Sequence, residues 1–226
     1  GDTVYVGGNF ANARPAGAAP GTNLVARSNF LAYDVRTGEL ITSIAPAFNA
    51  QVRTITASPD GTRLYVGGDF TTVGGLRRDR LAAFELPSMR LIGTFLPPIG
   101  YHVWSLAVSP DNGTLYVGGN FNRVTGAAGT AVTGRLVRVA LADGTLDPTF
   151  APQPNGEVYD LDATPTRVHV AGQFDQLGGA ARRKFGSVDT TTGAIVPGLE
   201  AFQSSTENWD DPLKDFYGYQ QAVLET

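Results

Sequence analysis

The sequence predicts an all-β fold built of repeated four-stranded antiparallel units, and three observations carry that reading. A Tyr-Val-Gly-Gly tetrad followed by a polar residue and Phe returns along the chain. Each later copy sits inside the same order of strand, turn and strand. No segment longer than about ten residues before the tail has helical periodicity. The copies read Tyr5-Val6-Gly7-Gly8-Asn9-Phe10, Tyr65-Val66-Gly67-Gly68-Asp69-Phe70 and Tyr116-Val117-Gly118-Gly119-Asn120-Phe121, with a looser fourth, His169-Val170-Ala171-Gly172-Gln173-Phe174. Their first residues, at 5, 65, 116 and 169, lie 60, 51 and 53 positions apart. A repeat of this length built from short strands marks an array of supersecondary units.

The second repeat justifies each strand. Val52 to Ala57 alternates apolar and polar residues, the period of a half-buried strand. Ser58-Pro59-Asp60-Gly61 has Pro and Gly where a tight reverse turn needs them. Leu64 to Gly68 is the second strand, residues 71 to 79 a loop with Gly74-Gly75, Leu81 to Leu86 the third strand and Leu91 to Phe95 the fourth. The third repeat copies the order at 103–108, 115–119, 135–141 and 145–150, with Ser109-Pro110-Asp111-Asn112-Gly113 as its turn. The fourth does so at 158–163, 168–172, 185–189 and 194–196. Such a unit exposes two apolar faces and cannot bury both alone, so units pack around an axis as the blades of a β-propeller.

Residues 1–198 then hold four repeats of about 50–60 residues, the first joined at its second strand. Residues 199–226 read as a divergent tail, as the start of a further blade, or as the strand that closes the ring through Val223-Leu224-Glu225. The chain begins Gly1-Asp2-Thr3, which is expected of a fragment or a processed product.

The 226 residues suffice for one large all-β core. A net charge of -4 gives no basic footprint for nucleic acid. Cysteine is absent, which excludes disulfides and thiolate metal sites. No apolar run approaches the ~18 residues of a membrane span. Of 17 basic residues all but Lys184 and Lys214 are Arg, a bias of GC-rich bacterial genes.

The run Leu64 to Phe70, the Gly-Gly loop, Arg80-Leu81-Ala82, Glu85, Phe95 and Pro97 together resemble the bacterial delta-sixty repeat propellers. They are also similar to repeats of fungal cell-surface polarity proteins and, more distantly, to kelch and Tyr-Val-Thr-Asn propellers. The resemblance covers about residues 1 to 198. It implies a secreted or surface-displayed propeller and supplies no catalytic motif.

Chemistry-bearing motifs are otherwise missing. The sequence has no His-Glu-x-x-His, no phosphate-binding Gly-x-x-x-x-Gly-Lys and no Gly-x-Ser-x-Gly. No catalytic residue, metal ligand or cofactor is therefore expected. The polar column Asn9, Asp69, Asn120 and Gln173 is expected to satisfy loop amides or to pair with the basic column Arg80, Arg135 and Lys184.

Variation between repeats points to the surface. If the first strand lies innermost, its start and the loops at 11–28, 71–79, 122–134 and 175–183 share one face. A rigid scaffold with varying loops carries binding sites there. Tyr101, His102, Trp104 and Tyr159, with Arg53, Arg77 and Arg78, form the expected ligand-binding cluster. Aromatic rings beside polar groups suit a protein partner or a glycan, and inter-blade packing is the structural alternative for Trp104 and Tyr159. A secondary cluster is Trp209, Asp210, Asp211 and Tyr217 in the tail.

The expected function is a binding or scaffold module, non-enzymatic, for a protein partner or glycan, within a longer chain or larger assembly. The alternatives are a carbohydrate-active lyase or hydrolase using Asp210 and Asp211, and a structural subunit of an extracellular assembly.

Overall fold

In the computed structural model the described residues are 2–126, 129 and 131–198. The tail cluster of Trp209, Asp210, Asp211 and Tyr217, and the expected ring-closing strand, lie outside them. The described residues form four blades of a β-propeller.

The second blade is a four-stranded antiparallel sheet. Its spatial order is β10 (Arg90–Leu91), β9 (Leu81–Glu85), β6 (Arg63–Gly68) and β5 (Val52–Ala57). The third blade orders β11 (Val103–Val108), β12 (Thr114–Gly119) and β15 (Leu136–Ala140). The fourth orders β16 (Val158–Ala163), β17 (Arg167–Gly172) and β20 (Phe185–Asp189). In the first, β1 (Thr3–Gly7) pairs with β4 (Phe30–Asp34). The innermost strands β5, β11 and β16 pack side by side along the axis.

Two sequence expectations are corrected. The fourth strands expected at 145–150 and 194–196 shrink to single bridges, Val139 with Leu146 and Val188 with Ile195, and the one at 91–95 to the short β10. Turn chemistry overrides apolar patterning there. Asp147 caps the Thr149 amide at 2.9 Å, and Pro148 and Pro197 have no amide to give a ladder. The expected loops at 71–79 and 175–183 are hairpins instead, β7 (Thr72–Val73) with β8 (Leu76–Arg77) and β18 (Gln176–Leu177) with β19 (Ala180–Ala181). Gly74-Gly75 and Gly178-Gly179 all have positive φ, as a two-residue hairpin turn of this type demands. The first and third blades carry matching hairpins, β2 (Asn12–Ala13) with β3 (Val25–Ala26) and β13 (Arg123–Thr125) with β14 (Ala131–Thr133).

The core lies in the seams between blades. Phe30, Phe48, Val52, Val66 and Phe70 fill the first seam. Tyr65, Phe95, Val103, Leu115 and Val117 fill the second, and Tyr116, Phe150, Val158, Val168 and Val170 the third. The Gly-Gly pair lets the seams close. A Cβ on Gly67 would stand 2.5 Å from Val103 Cγ1, and one on Gly118 would stand 2.5 Å from Val158 Cγ1, in each case a valine of the next blade. At the second glycine of the pair a Cβ would meet backbone: 2.2 Å from Gln51 O at Gly68, 2.1 Å from His102 O at Gly119 and 2.0 Å from Glu157 O at Gly172.

The tyrosine of the motif ties one blade to the next. The Tyr65 hydroxyl donates to Leu141 O at 3.2 Å, and Tyr116 donates to Thr190 O at 3.2 Å. Arg63 Nη1 reinforces the first carbonyl at 2.8 Å, and Arg138 reinforces the second. Burial pushes both phenols above their usual range. His169 takes the tyrosine position in the fourth blade and bonds Ser187 Oγ inside its own sheet at 2.7 Å, so it is a buried strand residue.

Gly67→Ala is expected to lower stability by about 1–3 kcal/mol, the usual cost of overpacking. Val103→Ala in the same chain should recover part of that loss. Gly93→Ala, where an added Cβ meets nothing within 4 Å, should stay within about 0.5 kcal/mol of the parent. Urea unfolding midpoints measure all three. Equal losses at Gly67 and Gly93 would remove the steric argument.

Candidate functional site

The first strand of each complete blade starts with a β-bulge. Register shifts between Val52 and Thr54, between Val103 and Ser105 and between Val158 and Asp160. The residues at the shifts are Arg53, Trp104 and Tyr159. A bulge re-aims a side chain and commonly does so beside a functional site. The Gly-Gly pair accompanies it: the carbonyl just before the bulge, pressed against the second glycine, accepts the amide of the following polar residue. These bonds are Asp69 N to Gln51 O at 2.9 Å, Asn120 N to His102 O at 3.1 Å and Gln173 N to Glu157 O at 2.8 Å. The polar column is thereby held at the start of each first strand.

Three bulges from three blades bring their side chains together. The Trp104 and Tyr159 rings stack with centroids 5.1 Å apart and planes 26° apart. Arg53 Cζ lies over the Trp104 ring, 5.9 Å from its centroid, a cation–π distance. Arg53 grips Asp69 through Nε, 2.8 and 2.9 Å from the two carboxylate oxygens, and through Nη2 at 2.7 Å. His102 Nδ1 meets Asp69 Oδ1 at 2.5 Å, and Tyr101 stands edge-on to the His102 ring at 4.6 Å. At the far end the Tyr159 hydroxyl donates to Glu157 Oε2 at 2.7 Å, and the Gln173 amide lies 2.9 Å from the same hydroxyl.

Five of the seven expected residues therefore form one continuous surface: Tyr101, His102, Arg53, Trp104 and Tyr159. Tyr101 is half exposed, and Arg53 and His102 keep about a third of their side-chain surface, 36% and 31%. Trp104 and Tyr159 are partly exposed, so each serves the seam on one side and solvent on the other. Asp69, Glu157 and Gln173 join the cluster. Asp69 and Gln173 were expected to satisfy loop amides or to pair with the basic column; their side chains instead engage Arg53 and His102, and Tyr159. Arg80 donates to the Asp69 backbone carbonyl, Arg135 to Asn155 O at 2.9 Å, and Lys184 pairs with Asp175 at 3.1 Å.

Arg77 and Arg78 are not part of this surface. Arg77 lies on the hairpin strand β8 and is paired with Asp79 at 2.7 Å. Arg78 is buried, with its guanidinium on the Arg77 and Ile92 carbonyls, and its expected exposure to ligand is corrected. Arg27 and Arg182 hold the same position in their blades, each bonding the carbonyl of the residue before it. This is a structural column.

Burial alone would raise the Asp69 carboxyl, but the hydrogen bonds and charges of Arg53 and His102 outweigh it and hold the pKa below the usual range. His102 contacts Asp69 and Tyr101, with no hydroxyl bonded to it among the described residues. No group of three His, Cys, Asp or Glu suited to a metal occurs among the described residues. No helix there is long and apolar enough to cross a membrane.

A family described as a domain of unknown function (DUF5122) beta-propeller matches residues 111–150, the heart of the third blade. Among solved structures, that of U3-55K is similar at 17% identity, covering 66% of this chain and 41% of that one, with a TM-score of 0.47. The crystal structure of the RRP9 WD40 repeats is similar at 17% identity, covering 68% and 42%, with a TM-score of 0.48. The chain matches about two fifths of the length of each. No curated protein matches the sequence.

The sign of the Asp69 effect can be tested. Its folded pKa is depressed, so its contribution is present above the unfolded value near 3.8 and is lost as pH falls through the folded value. Asp69→Asn should be less stable than the parent at neutral pH, and the gap should narrow as pH falls below about 4. Urea midpoints across that range check it. A gap independent of pH would mean that the carboxylate charge is not what matters.

Proposed function

We propose that this chain is a non-enzymatic binding module, secreted or displayed on a bacterial surface, that holds a protein partner on the face bearing Arg53, Trp104 and Tyr159. One observation carries the reading. Three blades each spend a bulge to place an Arg, a Trp and a Tyr in one stack at the axis end of the propeller. Residues that build the repeat recur in every blade, whereas these three differ at the same position. Trp, Tyr and Arg are also the side chains that dominate binding energy at protein interfaces, where each presents a large rigid surface with a polar edge. The Asp69 and Glu157 bonds fix rotamers in advance, which lowers the ordering cost of association. Among the described residues no hydroxyl is bonded to His102, the contact that a nucleophile for acyl transfer would need. The propeller fold is consistent with a protein-binding scaffold, and the extracellular setting rests on the resemblance of the repeats.

A photo-crosslinking side chain at Tyr101 should capture a defined partner from the native source, while the same group at Pro59, exposed in the opposite-face turn of the second blade, should not. Trp104→Ala should weaken binding of that partner by at least about tenfold, on the order of 1.4 kcal/mol. Its thermal unfolding should remain cooperative. A glycan array run in parallel separates the carbohydrate alternative: specific glycan retention lost in Trp104→Ala would replace the protein partner by a sugar.

A further inference from the structure

The opposite face carries a feature that the binding surface does not explain. The seams between the second and third blades and between the third and fourth are built alike, except at one position. Arg63 begins β6, and its guanidinium crosses the seam to Leu141 O. The corresponding residue at the start of β12 is Thr114, too short to cross. The equivalent carbonyl, Thr190 O, is instead reached by Arg138, cross-strand from Tyr116. Arg138 comes from the third strand and is anchored by Asp147 on one side and over the Phe150 ring at 5.2 Å on the other.

The space that a long side chain at position 114 would take is left open. A cleft of about 470 Å³ runs along this seam, lined by Ser109, Pro110, Asp111, Thr114 and Arg138 on one wall and by Thr164, Pro165, Thr190 and Thr191 on the other. Its polarity is defined. Ser109 and the Gly113 amide both bond Asp111 Oδ1, at 2.5 and 3.0 Å, and neither engages Oδ2. Asp111, Asp147 and Asp189 all lie in the field of Arg138. Asp111 and Arg138 line the cleft itself, and Asp147, Asp189 and Arg167, cross-strand from Asp189, stand around it, three carboxylates to two cations. Two exposed proline rings flank the opening.

We propose that this cleft receives the guanidinium of an arginine side chain presented by a protein partner. In the second seam a guanidinium, that of Arg63, crosses between the blades from the start of β6; here Arg138 takes the equivalent carbonyl from the third strand, and the path beside Thr114 stays open. An arginine from outside would lay its apolar stem between Pro110 and Pro165 and turn its charge to Asp111 and the threonine hydroxyls. An anion would face the carboxylate excess. An apolar side chain would strip water from carboxylate and hydroxyls with nothing in return.

The test is an amide chemical-shift titration with the tripeptide Gly-Arg-Gly, capped at both ends, against capped Gly-Gln-Gly. The arginine peptide should shift the amides of Thr164, Thr190 and Thr191 saturably in the millimolar range, and the glutamine peptide should not. Thr114→Arg rebuilds the second-seam arrangement and should abolish the shifts. Asp111→Asn, which keeps the turn's shape, should weaken them several-fold and guards against a folding defect in the first variant. Trp104→Ala should leave them unchanged, which separates this site from the opposite face. Equal response to both peptides, no response to either, or undiminished binding in a folded Thr114→Arg or Asp111→Asn chain would overturn the assignment.

Discussion

Two missing β-carbons in each of the second and third blades govern the molecule, and the fourth, where Ala171 stands first, keeps the one at Gly172. The first glycine of each pair lets the inner valine of the next blade close on the sheet, and the second lets the first strand's carbonyl come down onto the second strand. Neither space can be opened cheaply, because the opposing atoms are a packed side chain at one position and backbone at the other. Seam closure fixes how blades stack, and the backbone contact sits at the bulge that turns Arg53, Trp104 and Tyr159 toward solvent. A single steric requirement thus joins packing to surface display. The motif that looks purely structural in sequence is the reason the variable residues point where they do.

Charge is used differently at the two ends of the blades. On the loop face, Asp69 takes both Arg53 and His102, so a cation about one-third exposed is held rigidly rather than left to solvent. On the turn face, carboxylates cap their own turns: Asp60 accepts from the Thr62 amide at 3.0 Å and from Ser58 Oγ at 2.6 Å, and Asp111 repeats the device. Those bonds hold the Asp60 and Asp111 carboxyls below the usual range. They end each hairpin without a large side chain, which leaves room for the tyrosine and arginine bonds that cross the seams. The seam contacts are polar at the rim and apolar inside, as in a protein interface cut through one domain.

Much of this was legible in the sequence for a physical reason: repetition exposes constraint. Tyr65 and Tyr116 recur because each must reach a carbonyl of the next blade, and Ser-Pro-Asp recurs because it caps a turn. The inner strands were placed to within about a residue, since alternation survives where one face is buried. The outer strands were not, because Pro148, Pro197 and the Asp147 cap outweigh the apolar pattern around them. The Gly-Gly hairpins carried a two-residue turn signal that a short strand on either side concealed. At the site, the five residues were visible as departures from the repeat. Asp69 and Gln173 were visible as a polar column, but their contacts with Arg53, His102 and Tyr159, and the part of Glu157, were not, because the bulge that brings them together comes from a steric contact between strands. Arg78 misled because buried and exposed arginines look alike in sequence. Comparison with Arg27 and Arg182 at the same blade position is the signal that separates them.

Strand β12 has Thr114 and Tyr116 near one end and Gly118 and Gly119 at the other. Six residues at about 3.3 Å each span roughly 20 Å. That length separates the two ends of the blade, and it exceeds the width of an extended peptide. Occupants of the two faces would share one strand yet never meet, so the blade acts as a ruler between them. Because the strand is clamped along both edges, an occupant at one end gains little leverage over the other, and the two surfaces are free to change independently while the spacing stays constant.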